Sequence, residues 1–230
     1  MEIKGFVKNS FVDWDGKIAS TIFLPGCNFR CGFCHNKPLV LEPDKIKSIP
    51  FFEIEEHLET NRKFIDGVVV TGGEPTIHSE LSSLLRDIKS LGFPVKLDTN
   101  GSNPKAIKNL LQKKLIDYIS MDIKSSLENY NEVCGVRVDA EKIKESIKLI
   151  MNSGVDYEFR TTIIPEMHGE AEMEKMASMI EGAKLYALQK FIPRDTISKE
   201  FENMASPTTE QMEKLKSIAE KHVNKVIIRN

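Results

Sequence analysis

The stretch that organises this chain is Cys27-Asn28-Phe29-Arg30-Cys31-Gly32-Phe33-Cys34. It contains three of the four cysteines, at the spacing C-x₃-C-x₂-C, and the fourth is Cys134. Three thiolates this close in sequence can bind one metal centre, and a [4Fe–4S] cluster is normally held by four cysteines. Three local ligands would leave one iron without a protein partner. The spacing therefore favours a cluster with an open coordination position, where chemistry can take place.

Two other interpretations of the cysteines stay open on spacing alone. A structural zinc site needs four nitrogen or sulfur ligands, and His35 or Cys134 would have to be the fourth. Zinc knuckles usually pair two C-x₂-C elements, however, and only one is present. Disulfides are disfavoured, because three cysteines in eight residues have poor geometry for pairing and nothing in the sequence suggests secretion.

Length and composition describe an ordinary globular protein. The chain has 230 residues, of which 40% are hydrophobic and 29% charged. The net charge of −2 gives no electrostatic reason to expect nucleic acid or an anionic membrane as a partner. No apolar run approaches the roughly 20 residues of a membrane span, and the N-terminus lacks the apolar region of a signal peptide. We therefore expect a cytoplasmic protein with a single domain over residues 1–230.

Strand and helix patterns alternate from residue 18 to 222. Predicted strands lie at 3–12 (one or two short ones), 18–24, 68–71, 95–98, 118–122, 157–164, 184–191 and 225–229. Predicted helices lie at 51–63, 79–91 with Ser79 as N-cap, 104–113, 140–152, 170–180 and from a start at Ser206-Pro207-Thr208 to about His222. Such alternation indicates a parallel sheet with crossover helices, and six units fall short of the eight that close a full barrel. The predicted fold is α/β, an open partial (β/α)₆ TIM-type barrel with a short N-terminal β extension.

Each predicted strand ends in polar residues or glycine. Any one of these ends has an ordinary structural explanation, such as a turn, a solvated Lys124 or an Arg160 paired with Glu158 or another carboxylate. In parallel α/β folds, however, ligands bind at the carboxyl ends of the strands, so the joint occurrence predicts a binding site there. The residues concerned are the cysteine loop, Gly72, Gly73, Glu74, Pro75, Asp98, Thr99, Asn100, Gly101, Asp122, Lys124, Arg160, Thr162 and Gln189.

The C-x₃-C-x₂-C spacing, with the aromatic Phe33 before the last cysteine, resembles the signature of the radical SAM superfamily. That resemblance implies a [4Fe–4S] cluster at Cys27, Cys31 and Cys34 whose open iron binds S-adenosylmethionine (SAM), which is cleaved to a 5′-deoxyadenosyl radical. Gly72-Gly73-Glu74-Pro75 resembles the family's GGE motif, which holds the SAM amino group. The SAM carboxylate needs a cation, Lys124 or Arg160. The ribose needs small polar partners such as Asn100 or Asp122, and the adenine needs an apolar slot, for which the candidates are Phe33, Ile163, Ile164 and Phe191.

Two further strand ends resemble those of glycyl-radical-enzyme activases, such as the pyruvate formate-lyase activator. They are Asp98-Thr99-Asn100-Gly101 and Asp122-Ile123-Lys124, and Cys34-His35-Asn36 is also similar. The resemblance implies a monovalent cation at Asp98, Thr99 and Asp122, contact of Lys124 with the SAM carboxylate, and Arg160 in the same pocket. Residues 22–40, 122–130, 146–165 and 182–193 most resemble the activating protein of anaerobic (class III) ribonucleoside-triphosphate reductase.

This resemblance implies a glycyl-radical enzyme as partner and a low-potential electron donor such as flavodoxin or ferredoxin. Asp15 and Gly32 depart from it, because relatives usually carry proline there, which puts the local loop shape in doubt. Cys134 is expected to be an incidental thiol. The alternatives are an activase of another glycyl-radical enzyme, a radical SAM enzyme for a small molecule such as 7-carboxy-7-deazaguanine synthase, and a zinc-binding interaction module without catalysis.

Overall fold

The computed structural model describes residues 1–229, which divide into two compact units. The first comprises Met1–Asn28, Asn36–Thr99 and Asn103–Ile119. The second comprises Phe29–His35, Asn100–Ser102 and the described chain from Ser120 onward. The single-domain organisation inferred from the sequence stays a prediction. Within residues 1–229 no helix is both long and apolar enough to cross a bilayer.

Strands and helices alternate along the described chain as the sequence predicts. The strands are β1 Gly5–Ser10, β2 Ala19–Leu24, β3 Gly67–Gly72, β4 Val95–Thr99, β5 Tyr118–Asp122, β6 Asp156–Ile163, β7 Tyr186–Lys190 and β8 Val226–Arg229. The helices are α1 Lys37–Leu41, α2 Phe51–Thr60, α3 Leu81–Ser90, α4 Pro104–Gln112, α5 Tyr130–Cys134, α6 Ala140–Met151, α7 Glu170–Met179, α8 Lys199–Glu202 and α9 Thr209–Ala219. Short 3₁₀ turns lie at Pro43–Lys45 and Pro75–Ile77.

Strand order in the sheet follows chain order, from β1 to β8. In the first unit β1 runs antiparallel to β2, whereas β2, β3 and β4 are parallel neighbours. In the second unit β6, β7 and β8 are parallel neighbours. The first and last strands each have one neighbour in this order, as the predicted open (β/α)₆ arrangement requires. The predicted α/β class and the N-terminal antiparallel extension are both confirmed.

Apolar residues on the strands and the inner helix faces form the core of each unit. In the first unit the consecutive residues Val68, Val69 and Val70 of β3 are all fully buried, which is typical of a parallel strand covered on both faces. In the second unit Phe159 of β6 and Tyr186 of β7 are fully buried. The strand ends that carry the polar motifs are therefore fixed to a packed core.

The structure corrects the sequence-based prediction in three short helices and one cap. Helices α1, α5 and α8 are absent from the prediction because each spans five residues or fewer, too short to display a 3.6-residue period. The predicted N-cap of α3 is wrong, since Glu80 rather than Ser79 precedes the helix, and its side chain makes no capping bond. The predicted start of α9 is confirmed, because Thr208 and Gln211 form a capping box.

Candidate active site

In the first unit, the Gly72-Gly73-Glu74-Pro75 turn packs directly against the residues that precede Cys27. The Glu74 amide donates to the Gly26 carbonyl at 2.8 Å, and the Asn36 side chain donates to the Gly72 carbonyl at 2.6 Å. A Cβ atom on Gly73 would lie 1.7 Å from the Gly26 oxygen, so only glycine fits. Gly72 has φ +124°, a conformation that also favours glycine. The turn thus fixes the backbone that leads into Cys27.

Glu74 is fully buried and joins the turn to the end of β4. Its Oε1 accepts hydrogen bonds from the Thr76 amide at 3.0 Å, from the Thr76 hydroxyl, and from the Thr99 hydroxyl at 2.7 Å. Three hydrogen-bond donors on one oxygen fix the side chain in one orientation. Glu74 therefore orders two of the predicted strand ends, those of β3 and β4.

Asp98 and Thr99 end β4, and both are largely buried. The Lys96 ammonium lies 3.8 Å from Asp98 Oδ1 and donates to the Asp13 carbonyl at 2.6 Å. It also lies 5.4 Å from the centre of the Tyr118 ring. Lys96, which has no role in the sequence-based site, is thus a buried cation beside Asp98. The monovalent cation at Asp98, Thr99 and Asp122 stays a prediction.

In the second unit, the cysteine segment Phe29–His35 is bound to the chain that follows β7. The Ile197 amide donates to the Cys34 carbonyl at 3.2 Å, and the Ser198 amide donates to the Gly32 carbonyl at 2.9 Å. Both bonds join backbone groups of the loop to backbone groups of residues 197 and 198. The loop shape that the missing proline put in doubt is therefore held by backbone bonds to a neighbouring segment.

Aromatic rings surround this part of the cysteine segment. Phe201 of α8 contacts Phe33 edge-on with ring centres 5.9 Å apart, and it contacts Phe191 at 6.3 Å. His35 stacks on Phe191 at 5.8 Å, and a hydrogen bond joins His35 Nε2 to the Ile192 carbonyl at 2.8 Å. The predicted apolar residues Phe33 and Phe191 thus belong to one aromatic cluster, to which the structure adds Phe201 and His35.

Cys134, expected to be an incidental thiol, lies beside the cysteine segment. The Arg30 amide donates to the Cys134 carbonyl at 2.8 Å, and Gly135 follows in a left-handed conformation (φ +64°) against the Arg30 carbonyl. A hydrogen bond from Cys134 lowers the pKa of Cys31 to about 7, and the nearby Lys124 charge acts in the same direction against the effect of burial. Cys31 is thereby favoured as a thiolate, the form that binds metals.

Asp122, Lys124 and Arg160 form one ionic cluster at the ends of β5 and β6. Lys124 Nζ donates to Asp122 Oδ2 at 2.9 Å, and Arg160 Nε donates to Asp122 Oδ1 at 2.8 Å. Burial opposes charge on Asp122, but the two cations outweigh it and hold the pKa of this carboxyl well below its usual range. Likewise burial disfavours the Lys124 cation, but the charges of Asp122 and Cys31 outweigh the effect of burial and raise the pKa of Lys124. The cluster thus brings two cations together around one carboxylate.

Lys124 also connects this ionic cluster to the cysteine segment. Its ammonium lies 5.8 Å from the centre of the Phe33 ring, within the range of a cation–π contact. The Lys124 amide donates to the Tyr130 hydroxyl at 3.2 Å. Lys124 is mostly buried, so the alternative of a solvated lysine is wrong. The alternative that Arg160 pairs with a carboxylate is confirmed, with Asp122 as the partner, and Glu158 binds Ser120 and Arg229.

The other predicted site residues of the second unit occupy the ends of β6 and β7 or the loop after β4. Thr162 and Gln189 are register partners on β6 and β7 and are half-buried. Ile163 and Ile164 are fully buried, so both are part of the packing at the end of β6. Asn100 accepts a hydrogen bond from the Ser102 amide at 2.9 Å. Their contacts with a ligand stay a prediction.

The four cysteines are all free thiols, which removes the disulfide interpretation for this structure. Cys27 belongs to the first unit, and Cys31 and Cys34 belong to the second. Over residues 1–229, no group of three His, Cys, Asp or Glu side chains is arranged around a single metal ion. A [4Fe–4S] cluster does not need such a group, because each cysteine binds a different iron. Free thiols and a Cys31 with a lowered pKa suit this donor set.

Two supporting residues could not be identified from the sequence. His168, just before α7, and Glu172, in its first turn, bind the loop that carries Lys124. Glu172 accepts from the Ser125 hydroxyl, the Ser126 amide at 2.6 Å and Asn129 Nδ2 at 2.9 Å. Neither residue lies in a motif, so only the observed pairing reveals them.

Comparisons with known proteins define the class. A family model described as the Radical SAM superfamily matches residues 21–180. The crystal structure of Streptococcus suis SuiB bound to S-adenosylmethionine has a similar fold, with a TM-score of 0.68 over 91% of this chain and 52% of that one, at 14% identity. The chain therefore belongs to the radical SAM superfamily, whose enzymes use a [4Fe–4S] cluster and SAM.

Within that superfamily, the chain is similar to activating enzymes along most of its length. A Methanocaldococcus jannaschii protein described as a glycyl-radical enzyme activating enzyme is 35% identical over 232 residues, covering 99% of this chain and 95% of that protein. The pyruvate formate-lyase-activating enzyme of Clostridium pasteurianum is 26% identical over 192 residues, covering 81% of this chain and 79% of that enzyme.

Proposed function

We propose that this protein is an activase that generates a glycyl radical on a partner enzyme, and that the partner is the anaerobic (class III) ribonucleoside-triphosphate reductase. The observation that carries the site assignment is the Asp122–Lys124–Arg160 cluster, whose Lys124 ammonium lies against the Phe33 ring of the cysteine segment. Two partly buried cations side by side suit an anionic group such as the SAM carboxylate. Similarity to activating enzymes supports the reaction type.

The proposed ligands of the [4Fe–4S] cluster are Cys27, Cys31 and Cys34. When bound, the cluster and SAM supply a 5′-deoxyadenosyl radical that takes a hydrogen atom from a glycine of the partner. Lys124 and Arg160 bind the SAM carboxylate, and Asp122 holds both cations in position. The amino group is placed by the turn Gly72, Gly73, Glu74 and Pro75. The nucleoside is placed by Phe33, Asn100, Asp122, Thr162, Ile163, Gln189 and Phe191.

The rigidity of the glycine-rich turn supports its proposed role. Its backbone is fixed by the Asn36 and Gly26 bonds, and its carboxylate is oriented by Thr76 and Thr99. Pre-ordered polar groups lose little entropy when they bind a ligand. A low-potential donor such as flavodoxin or ferredoxin would supply the electron. A reducing cytoplasm is the proposed location, in keeping with four free thiols.

Electron paramagnetic resonance tests this proposal. An anaerobic mixture would contain the reconstituted protein, a reductant, SAM and the class III reductase of the same organism. We expect a glycyl-radical doublet that is absent with the Cys31→Ala variant. The Cys134→Ser variant is the matched control, because it removes a thiol outside the three-cysteine motif while its hydroxyl can still donate to Cys31, so it should keep both the iron and the doublet. A doublet that persists in Cys31→Ala would contradict the cluster assignment.

The similarity to a pyruvate formate-lyase-activating enzyme favours one second candidate, activation of a glycyl-radical enzyme of that type. The same assay with such a partner distinguishes the two. Formation of 5′-deoxyadenosine without a doublet on either protein would reject both partners and direct the search to small substrates.

A further inference from the structure

His168 is a buried histidine with a defined hydrogen bond at each ring nitrogen. It lies just before α7 and is 2% exposed. The Ile164 amide donates to its Nδ1 at 3.0 Å, and its Nε2 lies 3.0 Å from the Lys124 carbonyl. Because an amide can only donate, Nδ1 carries the lone pair, and Nε2 carries the proton that it donates to Lys124. The ring therefore joins the end of β6 to the residue after the end of β5.

The neutral ring suits this position. Burial lowers the pKa of His168, and the nearby Lys124 cation acts in the same direction against the hydrogen bonds and the Glu172 charge. A protonated ring would place a second cation beside Lys124 and would remove the acceptor for the Ile164 amide. The two hydrogen bonds thus belong to one protonation state.

Lys124 is held from three directions. His168 binds its carbonyl, the Tyr130 hydroxyl accepts from its amide at 3.2 Å, and Asp122 accepts from its ammonium at 2.9 Å. The preceding residue is held as well, since Ile123 donates to the Arg160 carbonyl at 2.7 Å and accepts from the Thr161 hydroxyl at 2.7 Å. Of these contacts, the His168 bond to the carbonyl is the one that ties the Lys124 backbone to the segment following β6.

We propose that His168 is a positioning residue for SAM binding: through its Nε2–H bond to the Lys124 carbonyl, it fixes the backbone from which Lys124 reaches the SAM carboxylate. This inference rests on the proposed role of Lys124. It assigns to His168 no contact with SAM and no part in the chemistry. Its effect is therefore on SAM affinity rather than on the amount of cluster bound.

Two substitutions separate the two bonds of the ring. In His168→Asn the side-chain oxygen occupies about the place of Nδ1, so the bond from Ile164 is kept and the bond to Lys124 is lost. In His168→Gln the side-chain nitrogen occupies about the place of Nε2, so the bond to Lys124 is kept. If His168 had a purely structural role, the two variants would bind SAM with similar affinity, whereas a positioning role makes their SAM affinities differ.

Isothermal titration calorimetry of SAM into the anaerobic, cluster-loaded and unreduced protein gives the readout. We expect His168→Asn to raise the SAM dissociation constant about fivefold or more, and His168→Gln to stay within about twofold of the wild type. His222→Asn, at a half-buried histidine paired with two glutamates, is the matched control and should leave the SAM dissociation constant unchanged. Iron content and thermal unfolding are measured on each variant.

The Lys124→Met variant distinguishes failure of this inference from failure of the proposed function. If Lys124→Met weakens SAM binding and His168→Asn does not, the inference about His168 is overturned while the carboxylate assignment stands. If Lys124→Met binds SAM like the wild type, the assignment fails and the inference fails with it. Should His168→Asn not fold, His168→Gln alone decides, because lost affinity in a folded, cluster-loaded His168→Gln overturns the inference.

Discussion

Gly32 lies so close to Phe201 that a Cβ atom at position 32 would come within 2.4 Å of the Phe201 ring. The resemblance to glycyl-radical-enzyme activases implies a proline at position 32. The Phe201 ring fills the space that a side chain at position 32 would need, and it also contacts Phe33 and Phe191. The departure in the cysteine loop is thus matched by an aromatic residue on α8.

Gly32→Ala is therefore expected to destabilise the protein. Overpacking at a filled position costs about 1–3 kcal/mol of unfolding free energy, measured by chemical denaturation. The double variant Gly32→Ala with Phe201→Leu should recover part of the loss, so that the two effects are not additive. Gly169→Ala is the control for added volume, because its Cβ atom would have nothing within 4 Å; Gly169 is the N-cap of α7, and the capping loss expected there should not be recovered by Phe201→Leu. Additive effects would show that Phe201 does not restrict residue 32.

Gly73→Ala should impair cluster retention more than any other glycine substitution proposed here. The added Cβ would meet the Gly26 carbonyl oxygen at 1.7 Å, and a backbone atom cannot move aside as a flexible side chain can. The residues just before Cys27 must shift, which changes the direction of that thiol. We expect a reduced iron content per chain after anaerobic reconstitution, measured together with the melting temperature. Full iron content in a stable Gly73→Ala variant would contradict this role of the turn.

Asp122→Asn should destabilise the fold, because it leaves Lys124 and Arg160 without the anion between them. Removing one partner of a buried ion pair costs about 3–5 kcal/mol of unfolding free energy. Because these side chains are partly exposed, we expect a loss at or below the lower end of that range, about 2–3 kcal/mol. Adding Arg160→Met to Asp122→Asn should restore part of the lost stability, because it removes one of the two cations that Asp122 had joined. Urea unfolding of the single and double variants gives the measurement. Equal stabilities for Asp122→Asn and the double variant would argue against charge imbalance as the cause.

His222 should stabilise the protein in a pH-dependent way. Hydrogen bonds with Glu181 and Glu174 raise its pKa. A raised pKa in the folded state contributes stability that is fully present below the unfolded value of about 6.5 and is lost as pH rises through the folded value. His222→Asn should thus lower the unfolding free energy at pH 6 by less than about 1 kcal/mol, and not at pH 9. The control is Glu174→Gln with Glu181→Gln, which should remove most of this pH dependence.

The fold was largely predictable because its signals are long and local. Each crossover helix of nine residues or more shows its own apolar period, and the parallel strands are short and mostly apolar, as in the β-branched run Val68-Val69-Val70. The short helices α1, α5 and α8 carry too few residues for a period. α5 matters nonetheless, because Tyr130 and Cys134 bring it against Lys124 and Cys31.

The site was predictable as a set of residues but not as a set of contacts. Motif spacing identifies Asp122, Lys124 and Arg160, but it does not say that the carboxylate lies between the two cations. His168 and Phe201 lie in no motif. The role of His168 follows from its bond to Lys124, more than 40 positions away in the chain. The role of Phe201 follows from its ring contact with Phe33. Such pairings depend on tertiary packing, which a single sequence does not display.

The hydrogen bond from the Thr99 hydroxyl to Glu74 has a consequence for protein engineering. The Gly-Gly-Glu turn and the Asp-Thr-Asn-Gly strand end look like separate modules in the sequence, 25 residues apart at these two positions. Because one buried carboxylate oxygen serves both, neither can be exchanged alone with that of a relative without leaving a donor or an acceptor unmatched. Chimeras between members of the superfamily should therefore transfer the two segments together.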